Sequence, residues 1–400
     1  MTPTELYIHI PFCVKKCDYC DFLSAVFPER IQKEYALCLC QEIKYMASLY
    51  QSAEITTIYV GGGTPSWLSE DMMDMILTTV NQSFHVHPLA EVSIECNPGT
   101  LSREKLNVYR SIGVNRLSIG LQSANDDELQ ELGRIHDYNK FLHTYDLVRK
   151  AGFDNVNVDI MTGLPHQTVE KLDRTLNAVT LLRPEHISAY SLIIEEGTPF
   201  YTKYRFDAVK QKAGMPTDEG LPTDEESYRL YRYTIDFLQS KGYKRYEISN
   251  YARGGLVCQH NIGYWSRVPY IGVGLGAASL INETRASNIR DLYKYLDIAA
   301  DLSAGKLCGQ GFSSPFYVEE NKLSRKDAME EFMFLGLRKI DGVLRSDFFN
   351  MFGVDIESVY GPIITALRQK GFMDAKEGRI FLTDIGIDIS NQVLAQFLLD

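Results

Sequence analysis

The chain has 400 residues, 45% of them hydrophobic, enough for two or three domains of ~100–200 residues each. Its formal net charge of −11, with no basic block, excludes a general nucleic-acid binder. Residues 1–5 carry no positive segment ahead of an apolar one, which excludes a secretory signal, and the longest apolar-leaning run, 270–281, is glycine-rich and short of the ~20 residues of a membrane span.

The first expected strand is residues 6–10, which Pro11 and Phe12 break into a loop. Residues 28–50 place Ile31, Tyr35, Cys38 and Leu49 at helical spacing, with Pro28 in the first turn. Cys38 and Cys40 of this helix read as small buried apolar residues. A β-branched strand at 55–60 follows, then a helix opened by Ser69, Glu70 and Asp71, a cap with acids near the positive end of the dipole. Strands at 91–95, 115–119, 155–160 and 186–194 alternate with helices at 102–113, 137–151 and 168–182. Six strands separated by helices argue for an α/β fold with a parallel sheet, a partial (β/α)6 version of the TIM barrel.

On that scheme the polar residues converge. The loop after strand one holds Cys13, Cys17 and Cys20. Gly61-Gly62-Gly63-Thr64-Pro65 follows strand two, Glu95 and Asn97 close strand three, and Gln122 follows strand four. Asp159 lies near the end of strand five, and Tyr190 and Glu195 mark strand six. All of these sit at the C-terminal edge of the sheet, where barrel enzymes build their sites.

Three thiolates at C-x3-C-x2-C spacing can wrap one face of an iron–sulfur cube. Four cysteines are the usual ligand set. Here the convenient fourth position is Phe22, so one iron is open to an outside ligand. A zinc site would want a fourth Cys or His at short range, and His9, Cys38 and Cys40 lack standard spacing; zinc stays as the lesser alternative. With three of eight cysteines in one loop, the usage suits a reducing cytoplasm and not a disulfide scaffold.

The Cys13–Cys17–Cys20 stretch closely resembles the signature of the radical S-adenosylmethionine (SAM) proteins, in which SAM binds the open iron of a 4Fe–4S cluster through its amino and carboxylate groups. Similarity to the oxygen-independent coproporphyrinogen III oxidases of that family implies SAM contacts at Tyr7, Tyr19, Gly62, Gly63, Thr64, Glu95, Gln122, Arg134 and Asp159. The chemistry suits these residues. Glu95 accepts from a hydroxyl or ammonium, and Arg134 forks onto a carboxylate. Gln122 and Asp159 hydrogen-bond a ribose, and the glycines expose backbone to the methionine end.

Beyond residue 198 the pattern weakens. Residues 212–226 read as a surface loop that contains Pro-Thr-Asp-Glu twice, and 227–242 as a tyrosine-rich helix. Then comes His260-Asn261-Ile262-Gly263-Tyr264-Trp265. This His-Asn-x-x-Tyr-Trp string resembles a motif of the HemW branch of the family, whose members look like the oxidases but act as heme chaperones. His260 or Cys258 can offer an axial ligand to heme iron, Asn261 belongs to the same string, and Tyr264 and Trp265 can stack on a flat macrocycle. Gly272-Val273-Gly274-Leu275-Gly276 does not fit the dinucleotide fingerprint and reads as close backbone packing at the barrel's open side. From Ser324 onwards, three helices, a hairpin and a last helix after Asp384 suggest an α+β, winged-helix-like module without a basic recognition helix.

The expected division is therefore a radical SAM partial barrel at 1–205, an extension with the HNxxYW motif at 206–310, and an accessory domain at 311–400 similar to the oxidase C-terminal domain HemN. The resemblance implies a cytoplasmic heme chaperone that binds heme, a 4Fe–4S cluster and SAM, and delivers heme to an acceptor hemoprotein. A membrane-bound respiratory acceptor, peripheral contact with the membrane and a homodimer are all compatible with it. The alternative is a radical SAM enzyme that decarboxylates coproporphyrinogen III in porphyrin biosynthesis. Two departures weigh against it: Phe22 replaces the last cysteine of the oxidase pattern, and the oxidases carry an N-terminal arm ahead of strand one.

Overall fold

The computed structural model describes residues 1–306 and 312–399. Six parallel strands lie side by side in chain order: β1 (Thr2–Ile10), β2 (Ala53–Gly62), β3 (His85–Cys96), β4 (Arg116–Gln122), β5 (Val156–Thr162) and β6 (His186–Ser191). The crossovers are α1 (Glu29–Leu49), α2 (Glu70–Ser83), α3 (Arg103–Ser111), the pair α4 (Asp126–Glu131) and α5 (Tyr138–Lys150), and α6 (Val169–Leu182). Ser69, Ser102, Asp137 and Thr168 cap four of these helices, each side chain accepting from a backbone N–H three residues on.

Strand alternation sorts the side chains into two environments. Leu6, Ile8, Val60, Ile94, Ile119 and Val158 are each 0% exposed and pack under the crossover helices, where full burial stabilises by ~1.5–3 kcal/mol per large side chain. Strands of a parallel sheet are ordinarily apolar on both faces. Here the opposite, concave face carries Glu5, Thr57, Ser93, Arg116, Asn157 and His186, all buried. A buried polar face is costly unless its groups find partners, so it is where a site is expected.

Among the described residues the sheet extends past the six expected strands to twelve. Beyond β6, helices α7 (Pro199–Lys212) and α8 (Asp224–Ser240) lead to β7 (Lys244–Arg245) and β8 (Asn250–Ala252), with β8 antiparallel to β6. After α9 (Gln259–Trp265) the chain returns to the other edge. There β9 (Tyr270–Val273) pairs parallel with β1, and β10 (Ala278–Ile281), β11 (Thr284–Asn288) and, past α10 (Leu292–Ser303), β12 (Tyr317–Lys322) follow antiparallel. These added strands have two to six residues, too short for a periodic signal. The glycines of 272–276 do pack closely: a Cβ on Gly272 would lie 2.0 Å from the Ala278 carbonyl oxygen.

The two Pro-Thr-Asp-Glu copies take different roles. In the first, the backbone N–H groups of Asp218 and Glu219 donate to the Asp207 carboxylate, at 2.8 and 2.7 Å. In the second, Thr223 forms the capping box of α8 with Glu226, the residue just after the copy, and the helix starts three residues before the expected 227.

The C-terminal part holds its own apolar core of Met333, Phe348, Tyr360, Leu367, Ile380 and their neighbours. Helices α11 (Arg325–Gly336), α12 (Arg345–Phe352) and α13 (Ile356–Gln369) surround it with the hairpin β14 (Met373–Lys376) and β15 (Arg379–Leu382). A short strand β13 (Val343–Leu344) pairs with β15, and the last helix is two pieces, α14 (Asp384–Asp388) and α15 (Ser390–Leu394). Arg267 and Arg285 both reach Glu331 of α11, at 3.1 and 2.6 Å, tying this part to the strand extension. The expected boundary at 310/311 lies outside the described residues. Among the described residues no helix is long and apolar enough to cross a membrane.

Candidate functional site

The cysteine loop is pinned at both ends. Cys13 N–H donates to Ala25 at 3.0 Å, Ala25 N–H donates to Pro11 at 2.9 Å, and buried Phe12 packs edge-on against Phe27 and Tyr35. The loop so held turns Cys13, Cys17 and Cys20 towards one cavity of about 310 Å³ at the C-terminal edge of the sheet. All seven cysteines among the described residues are free. Two of the three sulfurs receive donors: the Thr64 hydroxyl at 3.6 Å from Cys13 Sγ, and Arg134 Nη1 at 3.5 Å from Cys17 Sγ. A sulfur ligated to iron keeps lone pairs that accept such donors. Three convergent thiols on one short loop, with those donors, fit an iron–sulfur cluster held by three protein ligands.

The facing wall is acidic. Glu95 accepts from the Tyr59 hydroxyl at 2.9 Å and from Gly62 N–H at 3.1 Å. Asp159 accepts from Ser118 at 3.0 Å and from Asn157 at 2.7 Å. Burial, then the charge of Asp159, pushes the Glu95 carboxyl up to about 7, and burial also raises Asp159. Two desolvated carboxyls in one cavity are a receptor for a cation, because a positive ligand relieves both penalties at once. A sulfonium nucleotide with an ammonium group answers that requirement.

Between thiols and acids lie the connecting groups. Arg134 Nη2 donates to Asn97 at 2.8 Å and to the Gly120 carbonyl at 2.7 Å, which holds the guanidinium beside Cys17. Gln122 takes φ +74°, rare for a residue with a side chain, at a register shift in the β4–β5 pairing. Gly62 has φ +113°, and a Cβ there would fall 2.5 Å from the His9 ring, so the turn that brings Gly62 N–H to Glu95 requires glycine.

The expected SAM and cluster residues Cys13, Cys17, Cys20, Tyr19, Gly62, Gly63, Thr64, Glu95, Gln122, Arg134 and Asp159 all line this one cavity, and so does Asn261. Tyr7 does not. It lines a second cavity of about 390 Å³ with Tyr264, Trp265, Arg267 and Arg285. The wall between the two cavities is aromatic: Tyr7 stacks on Tyr59 at 6.4 Å, and its hydroxyl meets His9 Nδ1 at 3.0 Å.

His260 lines neither cavity and is 1% exposed. Its Nδ1 lies 2.7 Å from the Thr57 hydroxyl, and its ring stacks on Tyr59 at 5.2 Å and meets Tyr264 edge-on at 4.7 Å. Burial, with Arg116 nearby, pushes its pKa down to about 3, while burial pushes Glu5 up to about 9. Both are uncharged near neutral pH, so their 4.0 Å approach is a neutral contact and not an ion pair. Cys258 is buried beside Glu91, and burial pushes its thiol up to about 12.

Several cavity residues escape motif-based reading. Tyr59, Ser118, Asn157 and Ser188 sit inside strands with no motif around them. Their signal is the alternation itself: polar residues at every second position of strands whose other face is fully apolar.

Comparison with known proteins adds the family. The family model of the Radical SAM superfamily matches residues 7–179, and that of the HemN C-terminal domain matches residues 323–389. The heme chaperone HemW of Bacillus subtilis (strain 168) is 34% identical over 98% of this chain and 98% of its own length. That of Escherichia coli (strain K12) is 32% identical over 100% of this chain and 99% of its own. Among solved structures, the coproporphyrinogen III oxidase HemN from Escherichia coli, a radical SAM enzyme, superposes with a TM-score of 0.81 at 23% identity, covering 99% of this chain and 90% of that one. The last likeness concerns the fold.

Proposed function

Because the chain belongs to the HemW family of the radical SAM superfamily, we propose that it is a heme chaperone, which binds heme and passes it to an acceptor hemoprotein. In this reading Cys13, Cys17 and Cys20 hold a 4Fe–4S cluster, whose open iron takes the amino and carboxylate groups of SAM. Glu95 and Asp159 supply the negative wall against the ligand's positive charge. Arg134 serves the carboxylate side and stays beside Cys17. Gly62, Gly63 and Thr64 present backbone and hydroxyl groups along the cavity edge.

Heme is assigned to the second cavity. Tyr264 and Trp265 offer aromatic faces to a flat ring, and Arg285, half-exposed beside Tyr270, suits a carboxylate at its edge. Burial of His260 favours a role beneath the site, seating α9 on β2 through Thr57 and Tyr59. Asn261, on the same helix, reaches the SAM cavity instead. The acceptor is a hemoprotein met in the cytoplasm or at the membrane surface, with membrane-bound respiratory proteins as first candidates. With the division at 1–205, 206–310 and 311–400, the first cavity belongs to the barrel with Asn261 of the extension, and the second to the extension with Tyr7 and His9 of the barrel and Leu335 of α11.

The single observation that carries the reading is the adjacency of the two cavities across the Tyr7–Tyr59 wall. The experiment is paired. Anaerobically reconstituted protein is titrated with heme and assayed with coproporphyrinogen III, SAM and a reductant. A stoichiometric complex with a shifted Soret band and no protoporphyrinogen IX is expected. Formation of that product would replace the reading with the oxidase one.

A further inference from the structure

Beneath Asp159 a file of polar side chains, Asn157 and His186 buried and Tyr246 partly so, runs the depth of the sheet to the far cavity's helix. Its hydrogen bonds have a fixed direction. Asn157 Nδ2 donates to Asp159 Oδ1 at 2.7 Å. That orientation of the amide leaves Asn157 Oδ1 as the acceptor facing His186 Nδ1 at 2.6 Å, so Nδ1 carries the proton. His186 is 0% exposed, and burial, with Arg116 nearby, keeps its ring neutral. Its Nε2 is therefore bare and accepts from the Tyr246 hydroxyl at 2.7 Å. The Tyr246 oxygen in turn accepts from the backbone N–H of Cys258 at 3.3 Å, and Cys258 is the N-cap of α9. Each member thus donates towards Asp159, with no freedom to reverse while the carboxylate holds the end.

We propose that Asn157, His186 and Tyr246 are positioning residues that couple ligand occupancy at Asp159 to the seating of α9, so that the SAM cavity and the aromatic cavity report on each other. A cation drawing Asp159 towards itself tightens or releases its bond to Asn157. Asp159 and Asn157 also bond Ser118 and Ser188, which stay within the neighbouring strands, whereas the route through the imidazole to Tyr246 reaches the first turn of α9. A file of one-directional bonds largely shielded from bulk solvent polarises along its length, which makes its ends interdependent. No member touches the cysteine loop, and none is part of the HNxxYW string. The inference rests on the assignment of the first cavity to SAM, and is independent of heme.

The test is hydrogen exchange on the cluster-reconstituted protein, with and without SAM, read on the peptide that contains residues 258–265. SAM affinity is measured in parallel by equilibrium dialysis. In the native protein SAM changes exchange of that peptide by about fivefold or more, the lower end of ordinary coupling. Tyr246→Phe, which deletes one hydroxyl, still binds SAM but loses the response. His186→Asn, cutting the file one link nearer Asp159, behaves alike. Tyr243→Phe is the control: its hydroxyl, bonded to the Pro184 carbonyl at 2.7 Å, lies off the file, and the response persists. Two results overturn the coupling while leaving the function standing: SAM bound with no change at α9 in the native protein, or a response that survives in Tyr246→Phe or vanishes equally in Tyr243→Phe. Failure of the native protein to bind SAM at all removes the cavity assignment itself, and this inference with it.

Discussion

The mouth and the floor of the concave sheet face are made from the same strands and the same residue types, yet they do opposite things. At the mouth, Glu95 and Asp159 share an open cavity, and each keeps acceptor capacity for a ligand. At the floor, four residues earlier on β3, Glu91 is covered by α9. It accepts from the Cys258 thiol at 3.5 Å and from the backbone N–H groups of Gln259 at 3.1 Å and His260 at 3.4 Å. The carboxylate thereby satisfies the orphan donors of that helix's first turn. Position along the strand, and what lies over it, separates a binding group from a structural plug.

Cys17→Ser puts this contrast under the heaviest load. It removes one proposed cluster ligand at the mouth and touches nothing at the floor. Near-complete loss of bound iron and of SAM affinity is expected, with an unchanged circular dichroism spectrum. Retention of a full cluster in that variant would break the assignment of the mouth.

At the floor, His260→Ala deletes a buried bond to Thr57, whose hydroxyl keeps Glu5 as a partner, and loss of such a bond costs about 0.5–1.5 kcal/mol. A lower midpoint in urea, with no movement of the Soret band of the heme-loaded protein, is the expected pair of results. A moved Soret band would make His260 an iron ligand and abolish the division between plug and site.

Trp265→Ala sharpens the contrast between the cavities. An aromatic contact is worth ~0.5–1.5 kcal/mol, so heme affinity should fall roughly two- to tenfold in a titration. SAM affinity should stay within about twofold, since Trp265 lies outside the first cavity.

The parts legible in the sequence are those that rest on local pattern. The six long strands, the four capped crossovers and the cysteine loop follow from periodicity, cap residues and spacing. So does the cavity at the C-terminal edge, because parallel alternation places every loop that follows a strand there. Tyr7 shows where such reasoning stops. The family resemblance groups it with the SAM contacts at the mouth, but it stacks on Tyr59 and lines the second cavity, whose other walls come from α9 and from the strands β9 to β11 added beyond β1. Those strands are too short to announce themselves, and their pairing is set by tertiary contact. His260 has the same lesson: the string around it marks the family, while burial under Thr57 and Tyr59 depends on how α9 is folded back across the chain.

The finest test concerns the cost of holding two acids at the mouth. Glu95 keeps its proton up to about 7 in the folded, ligand-free protein, against an ordinary value of 4.5 for the unfolded chain. Between those values the folded state binds more protons than the unfolded one. Stability from this group is therefore greatest below the unfolded value and falls as pH rises through the window, by up to about 1.4 kcal/mol per unit. Glu95→Gln has no proton to lose, so its melting temperature should decline less than the native protein's between pH 5 and pH 7, roughly the span where the two states differ. SAM should reverse the order. With the cation bound the ionised carboxylate is favoured, the native protein gains more from ligand than the variant does, and that gain grows with pH. Differential scanning fluorimetry at paired pH values, with and without SAM, reads both signs, and parallel curves for the two proteins would remove Glu95 from the recognition of positive charge.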